Sequence, residues 1–448
     1  MLICISTTGC MKKDDPDIGD DAKNKNAVTD KDVPAKKNKS NAITIAALDA
    51  KELQKPVFGK PNITAKTVAN GANEFAFELS NALARETLDN NLVCSPYSVW
   101  IPLAALINAT NSQNKDSLLE ALSASGISED EINSAASRML YDLTNQRMKE
   151  DAEEYYNDPL KIANAIFVSN NVTLKREFAQ TFLDYYRGVA MNVDFSSRDA
   201  VDAVNDWASD NSEGLITEII KEFDPTTVAA VANAIYFSDR WGWEFKRNET
   251  VEDVFHSPTG DTNAFFMKRE GDNQTYYEDD WVQATQLSFV SGGGLYIILP
   301  KDGDATHVLS FMANEYFEEI QRDSIRATGK LLLPRFSIES GAIDLVETLK
   351  KLGVPLFDDV AAPLTGGLIE EDVPVWLGSA VHKAVIKVDE KGTTAAAVTV
   401  MAAAPGAALI EPTEPFEMIC NKPFVFILYG RTNDGGNQVL FTGIVNQP

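Results

Sequence analysis

The run from Glu390 to Val400 is the part of the chain that most constrains its fold. After Lys391 it contains only Gly, Thr, Ala and Val. It therefore lacks the large branched and aromatic side chains of a typical buried strand, and also the Pro, Asn and Asp residues of a permanent loop. Such small, uncharged side chains suit a segment that is first exposed and later enters a sheet. A helix is the alternative interpretation, because Ala-rich runs have a high helix propensity.

Two stretches that flank this run resemble one known family. Residues 381–393, VHKAVIKVDEKGT, resemble the strand and hinge that precede the reactive loop of serpins, and residues 420–428, CNKPFVFIL, resemble the signature that follows it. Further blocks similar to the family occur, in the family's order, at 91–98, 231–241 and 439–446. The resemblance covers roughly residues 70 to 448.

The predicted elements indicate an α+β fold, because strands and helices follow one another without regular βαβ alternation. Apolar spacing predicts a first helix over residues 70–87, and apolar runs predict strands over Val228–Phe237 and Val381–Val388. The resemblance implies more: a serpin fold with three β-sheets, about eight or nine helices and an exposed reactive-centre loop.

Three segments are predicted along the chain: a leader at 1–10, a flexible tether at 11–69 and a serpin domain at 70–448. Residues 11 to about 40 are rich in Lys, Asp and Asn, so they bury too little apolar surface to offset the entropy of ordering.

The leader, MLICISTTGC, resembles the end of a bacterial lipoprotein signal. Small residues precede Cys10 and a charged segment follows, although a basic start is missing and the apolar stretch is short. A chance apolar start is the alternative. If the resemblance holds, Cys10 is the acylated first residue of the mature protein. The protein would then be a cell-envelope lipoprotein or secreted, with the lipid as its only attachment to a membrane.

The composition excludes some classes of function. Of the 448 residues, 44% are hydrophobic and 24% are charged, so a large globular core is expected. A net charge of −26 argues against binding to nucleic acid, which requires a basic patch. Cys94 and Cys420 lie in apolar, strand-like runs and are expected to be free and buried, although the sequence leaves a bridge open.

The chain carries little that indicates catalysis. It has three histidines and no His-Glu-x-x-His, Gly-x-Ser-x-Gly or Cys-x-x-Cys motif, so no metal site or cofactor is predicted. His382 with Ser95 or Ser98 could form a base and its nucleophile. The alternative is a buried hydrogen-bonded cluster, and the family favours it, because serpins use matching residues as a non-catalytic lock. We therefore expect no enzyme activity.

The resemblance implies a suicide-substrate mechanism. A protease attacks the exposed loop and forms an acyl-enzyme ester, and the cleaved loop then inserts as a new strand in the central sheet. Thr394 replaces an acidic residue of many inhibitory members, on a face expected to be exposed. Every other side chain up to Val400 is small or β-branched, which favours insertion. The hinge residues implied by the resemblance are Glu390, Gly392, Thr393, Thr394, Ala395, Ala396 and Ala397.

The resemblance also implies a structural lock that controls the opening of the central sheet. Buried polar groups are costly unless they are paired, so such a cluster can act as a gate. The matching residues are Ser95, Ser98, Asn233 and His382, with Trp241 near the top of the sheet, where insertion begins.

Family spacing from Glu390 places the scissile bond near Gly406–Ala407. The following segment is longer than in many members, which leaves the bond open between Met401 and Ile410. Small residues before the bond favour elastase-like or subtilisin-like proteases. Trypsin-like proteases are poor candidates, because no Lys or Arg occurs between Lys391 and Lys422.

The expected partner is a target serine protease in a covalent complex, and a cysteine protease could be trapped in the same way. The protein is expected to be a monomer that does not bind nucleic acid. The alternative function is that of a non-inhibitory serpin, which acts as a binding or carrier module. A hydrolase is less favoured than either.

Overall fold

The computed structural model describes residues 1–7, 43–44, 63–87, 89–144, 159–393, 415–432 and 436–448. Within these ranges the chain forms nine α-helices and twenty β-strands in mixed order, which confirms the predicted α+β class. The helices are α1 Ile63–Thr87, α2 Pro96–Leu106, α3 Ser112–Ala121, α4 Glu129–Thr144, α5 Arg176–Tyr186, α6 Arg198–Asn211, α7 Ala305–Phe311, α8 Asn314–Asp323 and α9 Val346–Lys351.

The strands belong to three sheets, as predicted. They are β1 Leu2–Thr7, β2 Ile43–Thr44, β3 Leu92–Cys94, β4 Leu160–Ser169, β5 Gly188–Val193, β6 Thr227–Phe237, β7 Asp239–Arg240, β8 Val251–Ser257, β9 Gly260–Glu278, β10 Val282–Ser288, β11 Gly294–Pro300, β12 Ile325–Pro334, β13 Phe336–Glu339, β14 Ile343–Asp344, β15 Val375–His382, β16 Val385–Val388, β17 Gly392–Thr393, β18 Phe416–Ile419, β19 Phe424–Arg431 and β20 Asn437–Val445.

The central sheet has seven described strands in the order β14-β15-β1-β6-β4-β5-β2. A second sheet has the order β18-β12-β9-β10-β11-β19-β20-β3, with β8 paired to β9. A third, small sheet has the order β13-β16-β17-β7. Strand β7 follows β6 along the chain, and β16 follows β15. The small sheet therefore extends the central sheet beyond the carboxyl ends of β6 and β15, which we call its upper end.

Hydrophobic layers cover both faces of the central sheet. On one face, α2 packs against β6 and β20, and all its residues are buried, as expected of a helix that is apolar on every side. On the other face, α6 contributes an apolar stripe that packs on Phe167 and Ala230 of the sheet. Strand β6 is therefore covered on both sides, which explains its nearly continuous apolar sequence.

Two predicted boundaries differ from the structure. Helix α1 begins at Ile63, so residues 63–69, predicted as part of the tether, are helical. The strand predicted over Val381–Val388 is divided into β15 and β16, which lie in different sheets. The division falls at Ala384, whose N–H and C=O are both taken by Ser340 and not by a neighbouring strand.

Strand β1 was not anticipated from the sequence. It lies between β15 and β6, antiparallel to both, and is buried along its whole length. Residues 2–7 of the segment interpreted as a leader therefore form an interior strand of the central sheet. A short apolar run without a period is compatible with either interpretation.

Candidate functional site

A buried polar cluster joins α2, β6 and β15 in the middle of the central sheet. Ser98 Oγ donates a hydrogen bond to Asn233 Oδ1, and the backbone N–H of Ser95 donates to His382 Nε2 at 3.0 Å. Ser95 Oγ donates to the carbonyl of Leu440 at 2.8 Å. The structure thus brings together Ser95, Ser98, Asn233 and His382, the residues that the resemblance implied.

The geometry of this cluster does not suit nucleophilic catalysis. Both serine hydroxyls donate to other acceptors, and the His382 nitrogen nearest to Ser95 accepts from its backbone N–H instead of its hydroxyl. All four side chains are buried. A general base must lie within hydrogen-bond reach of the proton that it removes. The cluster therefore holds elements together and does not present a nucleophile.

His382 is neutral in this environment. Burial lowers its pKa well below the usual value. Because Nε2 accepts a hydrogen bond, the single ring proton lies on Nδ1, and that atom has no hydrogen-bond partner among the described residues. A charged imidazole would be costly here, so the cluster is stable only while the ring stays unprotonated.

The hydrogen-bond network extends beyond the four predicted residues. Asn233 Nδ2 donates to Asn164 Oδ1 on β4 at 2.8 Å, and Asn164 Nδ2 donates to the carbonyl of Tyr186 at 2.6 Å. Sequence reasoning missed Asn164. Its one signal was a polar residue within the apolar strand 161–168.

The first residues of the hinge already form a strand. Gly392 pairs with Arg240, and Thr393 pairs with Asp239 on one side and with Val388 on the other. A Cβ atom on Gly392 would lie 1.9 Å from the carbonyl oxygen of Asp239, so this position needs glycine. Thr393 is 1% exposed. The hinge thus enters the gap between β16 and β7.

Trp241 supports the hinge and lies apart from the polar cluster. Its indole Nε1 donates to the carbonyl of Asp389 at 2.8 Å, and its backbone N–H donates to the carbonyl of Lys391 at 2.8 Å. Its ring stacks on Phe289 with 4.8 Å between centroids. Trp241 therefore fixes the turn that leads into β17.

Glu390 is held in an ion pair at the same turn. Arg335 Nε donates to its two carboxylate oxygens at 2.8 and 2.9 Å, and Thr250 Oγ1 donates to Oε1 at 2.6 Å. Burial alone would raise the pKa of Glu390, but the hydrogen bonds from Arg335 and Thr250 outweigh it and lower that pKa. Sequence reasoning predicted Glu390 and missed both partners, which lie far away along the chain.

Several predicted residues lie outside the described residues. These are Cys10, Thr394, Ala395, Ala396, Ala397, Gly406 and Ala407. Cys94 and Cys420 are free and buried, as predicted, and Cys4 is a third buried thiol among the described residues.

Metal-binding clusters and membrane-spanning helices are both absent from the described part of the chain. It contains no group of three or more His, Cys, Asp or Glu side chains that could hold a metal ion. None of the helices in those ranges is long and apolar enough to cross a membrane.

Comparison with known proteins agrees with this architecture. Residues 70–448 match the family described as "Serpin (serine protease inhibitor)". Similar relatives include an uncharacterized serpin-like protein of Thermococcus kodakarensis, 29% identical over 390 residues, which span 86% of each chain. Alpha-1-antiproteinase S of Cavia porcellus is 27% identical over 381 residues, which span 84% of this chain and 89% of the relative.

A solved structure shares the fold. Serpin48 of the insect Tenebrio molitor, described as a highly specific serpin, superposes with a TM-score of 0.72 at 25% identity, over 87% of this chain and 100% of that one. The match of the family over residues 70–448, together with the three-sheet architecture, shows that the chain belongs to the serpin family of protease inhibitors.

Proposed function

We propose that this serpin is a suicide-substrate inhibitor of serine endopeptidases. The observation that carries the proposal is the position of β17, where the first hinge residues, Gly392 and Thr393, pair with β7 and β16. A loop that starts as a strand in this gap can continue down it without reorganising its first turn. Loop insertion in serpins is itself an established case of strand addition to a sheet.

The chemistry begins on the exposed loop. The serine hydroxyl of the protease attacks the carbonyl carbon before the cut, an ester bond forms, and the peptide nitrogen after the cut leaves with a proton. Insertion of the upstream half of the loop then carries the protease along and distorts its active site. Water therefore does not hydrolyse the ester, and the protease stays bound to the cleaved serpin.

The loop sequence supports this mechanism. From Thr394 to Val400 every side chain is small or β-branched and uncharged, so an added strand would meet no charge to desolvate. Each inserted residue would gain hydrogen bonds to the neighbouring strands, and alternate side chains would face the core.

We propose cleavage at Gly406–Ala407 by an elastase-like or subtilisin-like protease. The residues before this bond, Ala403, Ala404 and Pro405, are small. A cysteine protease, which also forms an acyl intermediate, could be trapped in the same way.

The test is incubation of the processed protein, which begins at residue 10, with pancreatic elastase and with subtilisin, followed by denaturing electrophoresis and mass spectrometry of the released fragment. We expect an adduct that survives boiling, and a fragment that begins at Ala407. A non-inhibitory serpin that acts as a carrier would be cut without forming an adduct. A fragment with another start would move the bond and leave the mechanism intact.

We further propose that the protein is a monomeric bacterial lipoprotein of the cell envelope, acylated at Cys10. Small residues before Cys10 and the charged segment after it support this proposal. In cells, Cys10→Ser should move the protein from the membrane fraction to the soluble fraction. Unchanged partitioning would contradict the lipid anchor.

A further inference from the structure

Strand β1 lies where the inserted loop would have to go. Leu2–Thr7 runs between β15 and β6 and is antiparallel to both. β17 enters the same gap from its upper end, between β16 and β7. Strands β15 and β16 are consecutive along the chain, and so are β6 and β7. The hinge and β1 therefore occupy the two ends of one strand position between these neighbours.

The pairing of the hinge shows where the two segments would meet. Thr393 pairs with Asp239 in an antiparallel ladder, so each step forward in the loop is one step back along β6. In that register Val400 would pair with Ala232, which already pairs with Leu2. Asn233, one step earlier in the register, donates its backbone N–H to the carbonyl of Met1 at 2.9 Å.

A small cavity lies beside Met1, at the end of β1 that is nearer to the hinge. It has a volume of about 20 Å³ and is bordered by Met1, by Asn233 and Ile235 of β6, and by Ala384 and Val385 opposite them. Among the described residues no strand pairs with β6 on this side between Ala234 and Phe237, whereas β1 pairs with it from Ala232 to Thr227. Residues 394–398 could enter before the loop met β1.

The side chains of β1 fill the lower part better than the loop would. Ile3 and Ile5 point into the main core, and Leu2 and Cys4 point toward α6. In the hinge register Ala402 and Ala403 would take the places of Cys4 and Ile5. Exchanging a buried Ile for Ala costs about 2–5 kcal/mol, so apolar burial favours β1 over the loop at this position.

We propose that β1 is an intramolecular stop on loop insertion. While residues 1–7 stay in the sheet, a protease that cuts the loop is not trapped, because insertion ends before the lower half of the sheet. Removal of the segment turns the protein into an inhibitor. The inference rests on the proposed inhibitory function, and cleavage before a lipidated Cys10 would supply the removal.

The test uses the full chain with Cys10→Ser, so that residues 1–7 are retained. Ile5→Asp places a charge in the core and should expel β1. Val360→Asp is the matched control, because Val360 is 91% exposed. We expect Ile5→Asp to raise the yield of elastase adduct at least fivefold over the parent and the control. Equal yields in all three proteins would overturn the stop.

A reversible lock gives a second test, should Ile5→Asp fail to fold. Cys4 pairs directly with Ser379 on β15, so Ser379→Cys can form a disulfide that fastens β1 in the sheet. In the Ser379→Cys, Cys10→Ser protein we expect no adduct when oxidised. Equal adduct in the oxidised protein and in the processed protein, which lacks residues 1–9, would overturn the proposal.

The two proposals fail in different ways. If no protein forms an adduct although all are cut, the proposal of inhibition is wrong. Thermal unfolding of the cleaved proteins then tests whether β1 stops loop insertion. We expect a gain in heat resistance after cleavage in the Ile5→Asp protein and none in the oxidised lock. Equal gains, or no gain in either, would overturn the stop.

Discussion

The polar cluster around His382 and the hinge around Glu390 hold the central sheet in different ways. The cluster is fully buried, and burial keeps its histidine uncharged. The hinge uses a carboxylate and a guanidinium, and the Arg335 side chain remains 32% exposed at the rim of the sheet. The location of each group explains why the buried cluster is uncharged and the hinge at the rim is charged.

The comparison shows how polar groups can hold together a sheet whose strands separate in the proposed insertion. A neutral hydrogen-bonded cluster carries no large desolvation penalty for charge, so it can lie in the middle of the core. An ion pair needs some contact with water or very good geometry, and the hinge supplies both. Charge is thus kept to the entrance of the strand position and excluded from its interior.

The largest expected effect comes from placing a charge inside that entrance. Thr393 is 1% exposed between Asp239 and Val388, so Thr393→Arg must either bury a guanidinium or pull the hinge out of the sheet. Because insertion starts here, we expect the yield of protease adduct to fall at least tenfold while loop cleavage continues. Gel densitometry of adduct and cleaved protein measures the ratio.

Thr259→Arg is the matched control for this substitution. Thr259 lies in an exposed turn between β8 and β9, so the same change of side chain adds no buried charge. The Ile5→Asp background serves for both variants, since there the lower half of the strand position is open. A Thr393→Arg protein with the full adduct yield of its control would show that the hinge need not enter the sheet.

A smaller effect is expected from the ion pair itself. A double-mutant cycle with Glu390→Gln and Arg335→Gln should give a coupling free energy of about 1.5–3 kcal/mol, because the hydrogen bonds are charge-assisted and Glu390 is buried. Lys330 and Glu417 form a more exposed control pair, with 35% and 57% of their side chains accessible.

The control pair should couple by about 0.2–1 kcal/mol, as exposed pairs usually do. Urea unfolding of the parent and of the three variants in each cycle, seven proteins in all, measures both couplings. Equal couplings would mean that the hinge gains nothing from its burial, and the contrast between rim and interior would then lose its energetic basis.

The sequence predicted the two regions unequally. The four polar residues of the cluster were found together because they fall in blocks that resemble one family, and their neighbour Asn164 was missed because it lies outside those blocks. At the hinge, Glu390 was found for the same reason. Arg335 and Thr250 were not, since a single Arg or Thr carries no signal of a partner so distant along the chain.

The fold was predicted more completely than the identity of the strand that lies between β15 and β6. The mixed order of helices and strands, without regular βαβ alternation, indicated the α+β class, and the family resemblance implied the three sheets. The role of β1 could not be predicted, because strand pairing across more than two hundred residues leaves no local pattern. The short apolar run over residues 1–5 satisfies the requirements of a buried strand and those of a signal segment alike.

The smallest expected effect concerns pH and His382. Since burial lowers the pKa of His382 well below its usual value of 6.5, the unfolded chain takes up a proton below about pH 6.5 and the folded protein does not. The free energy of unfolding therefore falls as the pH decreases through this range. Between pH 7.0 and pH 5.5 the part of the loss that is due to His382 should be about 1 kcal/mol, and it should vanish in His382→Gln. The buried Met1 amine, whose pKa is lowered to about 5, adds a further loss that all the variants share.

The midpoints of urea unfolding at pH 7.0 and pH 5.5 measure the loss of stability. Both pH values lie above the range in which most carboxylates titrate. His307→Gln is the matched control, because His307 lies on the exposed side of α7. We expect the control to lose as much stability as the parent. If His382→Gln shows the same loss as well, the ring does not stay neutral in the folded protein, and the contrast between an uncharged interior and a charged rim is wrong.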